Sequence, residues 1–492
     1  MSADCDISIN LNKREKRLDA AQKKLSYVLF ACVISIVLQG LFCLLCYGRL
    51  NNTIADHSHP MYYSQIYFKI CTVAAAFVLA VYYIFRIYRF CDGKRRGLDK
   101  TVLDSLILIP LALMLVWAFI ATLKSPDIKK SLYGSGYINE GFFTVLGYGV
   151  VFLASFAIRN EVKFAKTAVL WTFIGLSGLI TVSLFNVELY GDFLEKLFGL
   201  NFNISPKVGV FNNSNHFGYF LAMSSTATFG AIVFSKYKIA MFAAAMILPL
   251  NVYYLFVCDT LGANLAFIGG IIFIVCSGAM SKKLNAKRLL LALAISAVVT
   301  LIVELCGRSQ MWRSYIQLFR DIKSVFSSGS GGGDASSAGT NRFGLWMRTI
   351  KVIEMSPWFG KGLDLYYSNN IYDPTLDVAH NEYLTIASNI GILGLVMYAV
   401  ALVWWFTRAV VGRARLETAD FILLSGAFAY LISAVFGNSF TYTYPYFLVF
   451  FALSIQPAVR NRPAYERLQR KNENILSVDS ASADIVQTVN IE

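Results

Sequence analysis

The chain has 492 residues, of which 56% are hydrophobic and 15% charged, where soluble domains average about 25% charged. With a mean hydropathy of +0.55, this excludes a soluble globular enzyme and a disordered protein. It also excludes a nucleic-acid binder, although 44 Lys and Arg against 30 Asp and Glu leave a net charge of +14: the apolar residues come in runs of about 18 or more, the length that crosses a bilayer as helix, and a basic surplus in such a chain marks cytoplasmic loops facing anionic lipid.

In chain order, residues 1–25 are polar and basic and read as a cytoplasmic segment. The apolar run that follows is too long for the core of a cleavable signal peptide. Nine spans are predicted within residues 26–305, at 26–48, 66–85, 102–122, 142–158, 166–186, 215–235, 239–257, 262–280 and 289–305. A long loop, 306–385, precedes three more within 386–458, at 386–406, 420–436 and 440–458. The expectation is an all-α polytopic membrane protein of about 12 transmembrane helices. If the N-terminus is cytoplasmic, the clusters Arg86 to Lys100, Arg159 to Lys163, Lys282 to Arg288 and Arg408 to Arg415 all fall inside, whereas a shift by one span would put them outside. Both termini are therefore placed in the cytoplasm, and the polar, aperiodic residues 459–492 read as a disordered tail. Most of the nine cysteines, among them Cys32, Cys43, Cys46, Cys71 and Cys276, lie in apolar runs. Their spacing suggests neither metal nor disulfide.

The loop 306–385 falls outside, between spans nine and ten, and a loop of that length is usually functional or folded. From Arg308 to Phe326, the residues Trp312, Tyr315, Ile316, Phe319, Ile322 and Phe326 recur at helical spacing, with Arg313, Arg320 and Lys323 between them. The pattern fits a helix in the membrane–water interface or one packed on the spans. Ser327 to Thr340 is rich in Ser and Gly, but no strand precedes it and no Lys-Ser or Lys-Thr closes it, so it reads as a flexible connector and not a phosphate loop. A second helix is predicted from Arg342 to Met355, ended by Pro357. Arg342, Trp346 and Ile350 share one face of it. The turn Pro357-Trp358-Phe359-Gly360-Lys361-Gly362 follows, and Ala379-His380-Asn381-Glu382-Tyr383-Leu384 runs into span ten.

These residues carry a resemblance. Arg342 with Trp346, then Pro357 through Gly362, then His380-Asn381-Glu382-Tyr383-Leu384, then Gly391-Ile392-Leu393-Gly394 is similar to the signature region of the O-antigen ligase and polymerase family. Three further stretches resemble the family: Gly209 through Gly218, Tyr133 through Phe142, and Asn438-Ser439-Phe440 with Pro445. In position the likeness covers roughly residues 130–458. It implies a GT-C-like bacterial inner-membrane glycosyltransferase that moves a glycan from a polyprenyl diphosphate carrier to a hydroxyl on a glycan, lipid or protein acceptor, outside the cytoplasmic membrane, without a cofactor. Arginine suits the diphosphate, since its planar fork pairs with phosphate oxygens in two bonds. Histidine, with an ordinary pKa of about 6.5, suits the removal of the acceptor's proton. By resemblance Arg342 is assigned to the diphosphate and His380 to the base. Asn381 is a candidate for orienting the imidazole or a sugar, and Arg348, Lys361 and Asn215 are further substrate-contact candidates.

Each has a plainer reading. Arg342 could be an interfacial anchor that snorkels to headgroups, Lys361 a turn residue, and His216 a structural hydrogen-bonding group; His57 and His59 read as solvated loop residues beside Asp56. There is no metal-ligand cluster, so metal-independent transfer is expected. One departure stands out: family members commonly carry Ser/Thr-Arg-Gly where this chain has Thr260-Leu261-Gly262 after Asp259. Either Arg308, Arg313 or Lys207 substitutes for that arginine, or the donor is gripped differently, or the chain is a divergent member. Ligase and polymerase share this block. The competing classes are a twelve-span transporter, against which stand the lack of a duplicated half and the few charges within spans, and a non-enzymatic assembly protein that docks through its loop.

Overall fold

The structure, a computed structural model, describes residues 2–50, 60–91, 105–134, 139–198, 205–211, 213–327, 342–364, 379–438 and 440–456. Among them there is no strand. The helices are α1 (Ser2–Val37), α2 (Gln39–Leu50), α3 (Pro60–Cys91), α4 (Leu108–Leu123), α5 (Ile128–Tyr133), α6 (Phe142–Glu161), α7 (Ala165–Phe198), α8 (Ser214–Phe234), α9 (Lys238–Val257), α10 (Leu261–Met280), α11 (Ala286–Leu305), α12 (Met311–Ser327), α13 (Arg342–Met355), α14 (Glu382–Val411), α15 (Thr418–Ser433) and α16 (Tyr444–Ser454).

Ten stretches of described helix are long and apolar enough to cross a membrane. The two shorter apolar helices, α4 and α16, fall on the predicted third and twelfth spans. At 1.5 Å per residue they reach roughly 24 and 17 Å, short of the ~30 Å hydrocarbon core. The reason at α16 is local: residues 440–443 form a turn, with Thr443 N and Tyr444 N both donating to the Phe440 carbonyl at 3.1 and 3.0 Å, and Pro445 then opens the helix. The stretches 57–59, 92–100, 328–340 and 459–492, on which the loop histidines, one basic cluster, the Ser/Gly connector and the tail were placed, lie outside the described residues.

Helix α8 is the axle of the bundle. Its apolar window is wholly buried, and it packs against α9, α10 and α15. A helix apolar all round must be surrounded, and α8 from Phe217 to Phe234 has no charged residue. Where polar side chains enter this core they bond between helices: Asn251 of α9 donates to Ser177 Oγ of α7 at 3.0 Å and to Thr228 Oγ1 of α8 at 3.3 Å, the kind of polar contact that joins helices in lipid. The outer helices instead present Ile70, Val73, Phe77 and Ile84 of α3 as exposed side chains, a surface suited to hydrocarbon and not to water.

Candidate functional site

Three helix starts meet at one end of the bundle. Helix α8 begins where Asn213 caps it, its Oδ1 accepting from Asn215 N at 2.8 Å. Arg342, the first residue of α13, donates from Nη2 to Asn215 Oδ1 at 3.2 Å. His216, one residue on, is buried with its ring 4.9 Å from Phe440 and 5.4 Å from Tyr442, and its Nδ1 meets no hydrogen-bond partner among the described residues. The third start is α14. Asn381 caps it by accepting from Leu384 N at 3.0 Å, and His380 precedes the cap in a left-handed conformation, φ +48°, that a non-glycine residue adopts at some cost. His216 and His380 are close enough for a charge on one imidazole to be felt at the other. Helix starts carry unsatisfied N–H groups and a partial positive charge, so their convergence favours an anion.

Helix α14 is broken about two turns further in. Ile390 and Gly391 leave helical geometry, Gly391 at φ +78° and ψ 171°, and the turn after α13 fills the gap. Ile392 N donates to Pro357 O at 2.7 Å, Lys361 N to Ser388 O at 2.8 Å, and Gly362 N to Asn389 O at 3.0 Å. Trp117 of α4 closes the brace: its Nε1 lies 3.1 Å from Trp358 O and 3.0 Å from Ile390 O, and its ring stacks on Phe359 with centroids 4.8 Å apart. Backbone groups freed inside a membrane must be satisfied by neighbouring protein, and the Pro357 to Gly362 turn does this. Glycine is required twice. A Cβ on Gly391 would overlap the Trp358 carbonyl and lie 2.9 Å from Phe359 N, and one on Gly360 would lie 2.6 Å from Ile390 N.

The sequence-derived candidates thus separate. Arg342 and Asn215 are in direct contact, and His380 is brought to the same rim through His216. The Asn381 side-chain oxygen serves as a helix cap, and the backbone of Lys361 belongs to the brace. Arg348 lies further along α13, half-buried. At the departure from the family pattern, Asp259 does not face the site as an open charge. It accepts from Gln310 N at 2.9 Å, Ser309 Oγ at 3.2 Å and Lys207 Nζ at 3.3 Å, latching the start of α12. Thr260 Oγ1 donates to Ser214 O at 3.1 Å, bracing the start of α8. Of the cations considered as substitutes, Lys207 pairs with Asp259 and Arg308 with Glu188 at 3.6 Å.

Sequence reasoning gave no role to Glu140. Its carboxylate accepts from Tyr148 OH at 2.8 Å and from Thr441 N at 3.2 Å. Burial, reinforced by the nearby Asp364, pushes its pKa up to about 8 against the pull of these hydrogen bonds. The only sequence signal was its place in the Tyr133 to Phe142 stretch, just before a span.

A sequence model of the O-antigen ligase family matches residues 242–399. This stretch belongs to the O-antigen ligase family. The O-antigen ligase region runs from within α9 to just past the middle of α14 and so contains Asp259, Arg342, the Pro357 to Gly362 turn and His380; Trp117, Glu140, Lys207, Asn215 and His216 lie before it. No curated protein matches the chain. With its membrane-spanning helices, the O-antigen ligase match identifies a multi-pass protein of a bacterial inner membrane whose function is of the glycan ligase or polymerase kind.

Proposed function

We propose that the protein transfers a glycan from a polyprenyl diphosphate carrier to an acceptor hydroxyl on the outer side of the cytoplasmic membrane, with both termini in the cytoplasm. The observation that carries this reading is the contact of Arg342 with Asn215 beside the His216 and His380 imidazoles: one rim then holds a guanidinium for the departing anion and a base for the incoming alcohol. In the proposed step the acceptor oxygen forms a bond to the anomeric carbon of the donor glycan. The bond from that carbon to the diphosphate oxygen breaks, and the electron pair leaves with the diphosphate. Arg342 pairs with the charge that develops there, and His380 takes the hydroxyl proton.

Asn215 holds the guanidinium in place, Asn381 fixes the start of the helix that carries the base, and Arg348 and Lys361 supply further positive charge around the donor. The diphosphate is already a good leaving group, so neither ATP nor a divalent ion is needed in this scheme. Residues 306–385 form the outer active-site loop. Both members of the family pair, a ligase that attaches a finished glycan and a polymerase that extends one, use this chemistry.

Mass spectrometry of lipid-linked and surface glycans with and without the gene tests the proposal. Accumulation of carrier-linked glycan in the deletion strain supports it: long carrier-linked chains indicate a ligase and single carrier-linked units a polymerase. An unchanged lipid-linked pool with unchanged surface glycan refutes it.

A further inference from the structure

A cavity of about 370 Å³ lies between α4, α6, α14 and α16, within the size range of small-molecule sites. Leu111 and Leu115, Phe152, and Leu448 and Phe451 form its apolar walls. Thr385, Asn389 and Glu140 bring polar groups to the end where α14 begins, beside the tyrosines Tyr148, Tyr398 and Tyr444 of its lining. Ala112 lines the cavity and is exposed, so the cavity opens on the lipid-facing side of α4. Asn389 is 8% exposed, and its Oδ1 meets no hydrogen-bond donor among the described residues. An amide oxygen left so in an apolar wall calls for a donor from a ligand.

We propose that this cavity takes one aliphatic chain of a membrane lipid with a neutral, hydroxyl-bearing head, the hydroxyl seated among Asn389, Thr385 and Glu140. The walls supply hydrocarbon contacts and nothing that recognises charge. At the polar end Asn389 Oδ1 accepts the ligand's proton, and Glu140, uncharged at neutral pH because burial raises its pKa to about 8, donates to the ligand's oxygen. A phosphate head is disfavoured there, since no Lys, Arg or His among the described residues lines the cavity and the acid Asp364 is near its polar end. Phe440 lines the cavity and carries the His216 ring at 4.9 Å, so the cavity adjoins the imidazoles, while Arg342 reaches the same rim through Asn215. As the seat of a lipid-anchored acceptor the cavity rests on the transferase reading; as a lipid site it does not.

The test is photolabelling of the full chain in phosphatidylethanolamine nanodiscs, with no glycan donor present. The probes are a long-chain alcohol bearing a mid-chain diazirine and the phosphate monoester of the same alcohol. The alcohol is expected to label peptides from α4 and α16. Ala112→Trp, which fills the mouth, lowers that labelling about tenfold, equivalent to about 1.4 kcal/mol, and Asn389→Leu lowers it severalfold. If Ala112→Trp does not fold, Leu115→Phe takes its place. Equal labelling by the phosphate ester, or alcohol labelling that survives the mouth-filling variant, overturns the proposal. His380→Ala is expected to label like the parent protein. Transfer that persists in His380→Ala refutes the role of His380 as base, and an unchanged lipid-linked pool in the deletion strain refutes the transferase assignment; both leave the lipid site standing.

Discussion

Replacing Gly391 by alanine tests whether the broken helix is held by the turn that fills it. The residue sits at φ +78°, ψ 171°, a region open essentially to glycine alone, where an L side chain costs about 1–3 kcal/mol. The new Cβ would overlap the Trp358 carbonyl and approach Phe359 N to 2.9 Å, and both atoms are backbone, so the turn itself must retreat. That withdrawal weakens the three backbone bonds from Ile392, Lys361 and Gly362, each worth about 1 kcal/mol net and more where a buried group is left unpaired. The sum is about 4–6 kcal/mol. A kcal/mol moves the melting temperature by about 2–4 °C in chains of 150–250 residues, so in one twice as long a fall of roughly 4–12 °C is expected. The assay is thermal unfolding of the detergent-solubilised protein followed by fluorescence-detected size exclusion. Gly175→Ala is the control, because a Cβ there meets nothing within 4 Å and the melting temperature should not fall. If Gly391→Ala melts like the parent protein, the brace does not hold the site together.

The remaining predictions concern charge and chemistry. His380→Ala and Arg342→Ala should insert and fold normally yet lose surface glycan transfer, the first by about 10²–10⁴-fold as expected for loss of a general base; full activity of both variants in a reconstituted transfer assay refutes their roles. Transfer should persist in EDTA, and abolition that is reversed by adding divalent metal back contradicts the scheme. Because the folded-state pKa of Glu140 is raised to about 8 above an ordinary carboxyl value of about 4.3, the native state binds the proton more tightly than the unfolded chain. Its contribution to stability is fully present below about pH 4 and is lost as pH rises towards 8, at up to about 1.4 kcal/mol per pH unit. Glu140→Gln lacks that loss, so its melting temperature should gain on the parent from pH 5 to pH 8; a constant difference argues against the shift. Asp259→Ala removes three accepted hydrogen bonds and should raise hydrogen exchange at the start of α12 about tenfold, while unchanged exchange there means that the latch is not tied at Asp259.

The parts of this fold that were legible in the sequence are those governed by periodicity and by single strong signals. Apolar run length located the helices, and Pro357 marked the end of α13 because proline cannot continue the ladder. The parts that were not legible depend on contacts across the chain. Trp117 and Pro357 to Gly362 are separated by more than two hundred residues and meet only because α4 packs on α14. Gly391 stood in plain view within a helical pattern, and a glycine there is a signal for close backbone approach that could have revealed the break. Asn381 immediately before an acidic residue and an apolar run is an N-cap pattern, and its side chain makes that cap. The latch at Asp259 was not legible because its partners, Gln310 and Lys207, are distant in sequence. Arg342 and His380 were found through a local motif, but their link to one rim through Asn215 and His216 needed the fold.

The interruption at Gly391 also separates two mechanical duties. Below it, Gly391 to Val411 is about 31 Å of helix at 1.5 Å per residue, enough by itself to cross the hydrocarbon. Above it, the short segment that starts at Glu382 is bolted to α4 through Trp117 and the turn. A bilayer that thickens or thins tilts spanning helices, and here such a tilt meets the turn first, because Ile392 at the top of the lower rod and Ser388 and Asn389 of the upper segment are all bonded to it. The start of α14, with His380 just before it, is thereby anchored to α4 and the turn as well as to the rod.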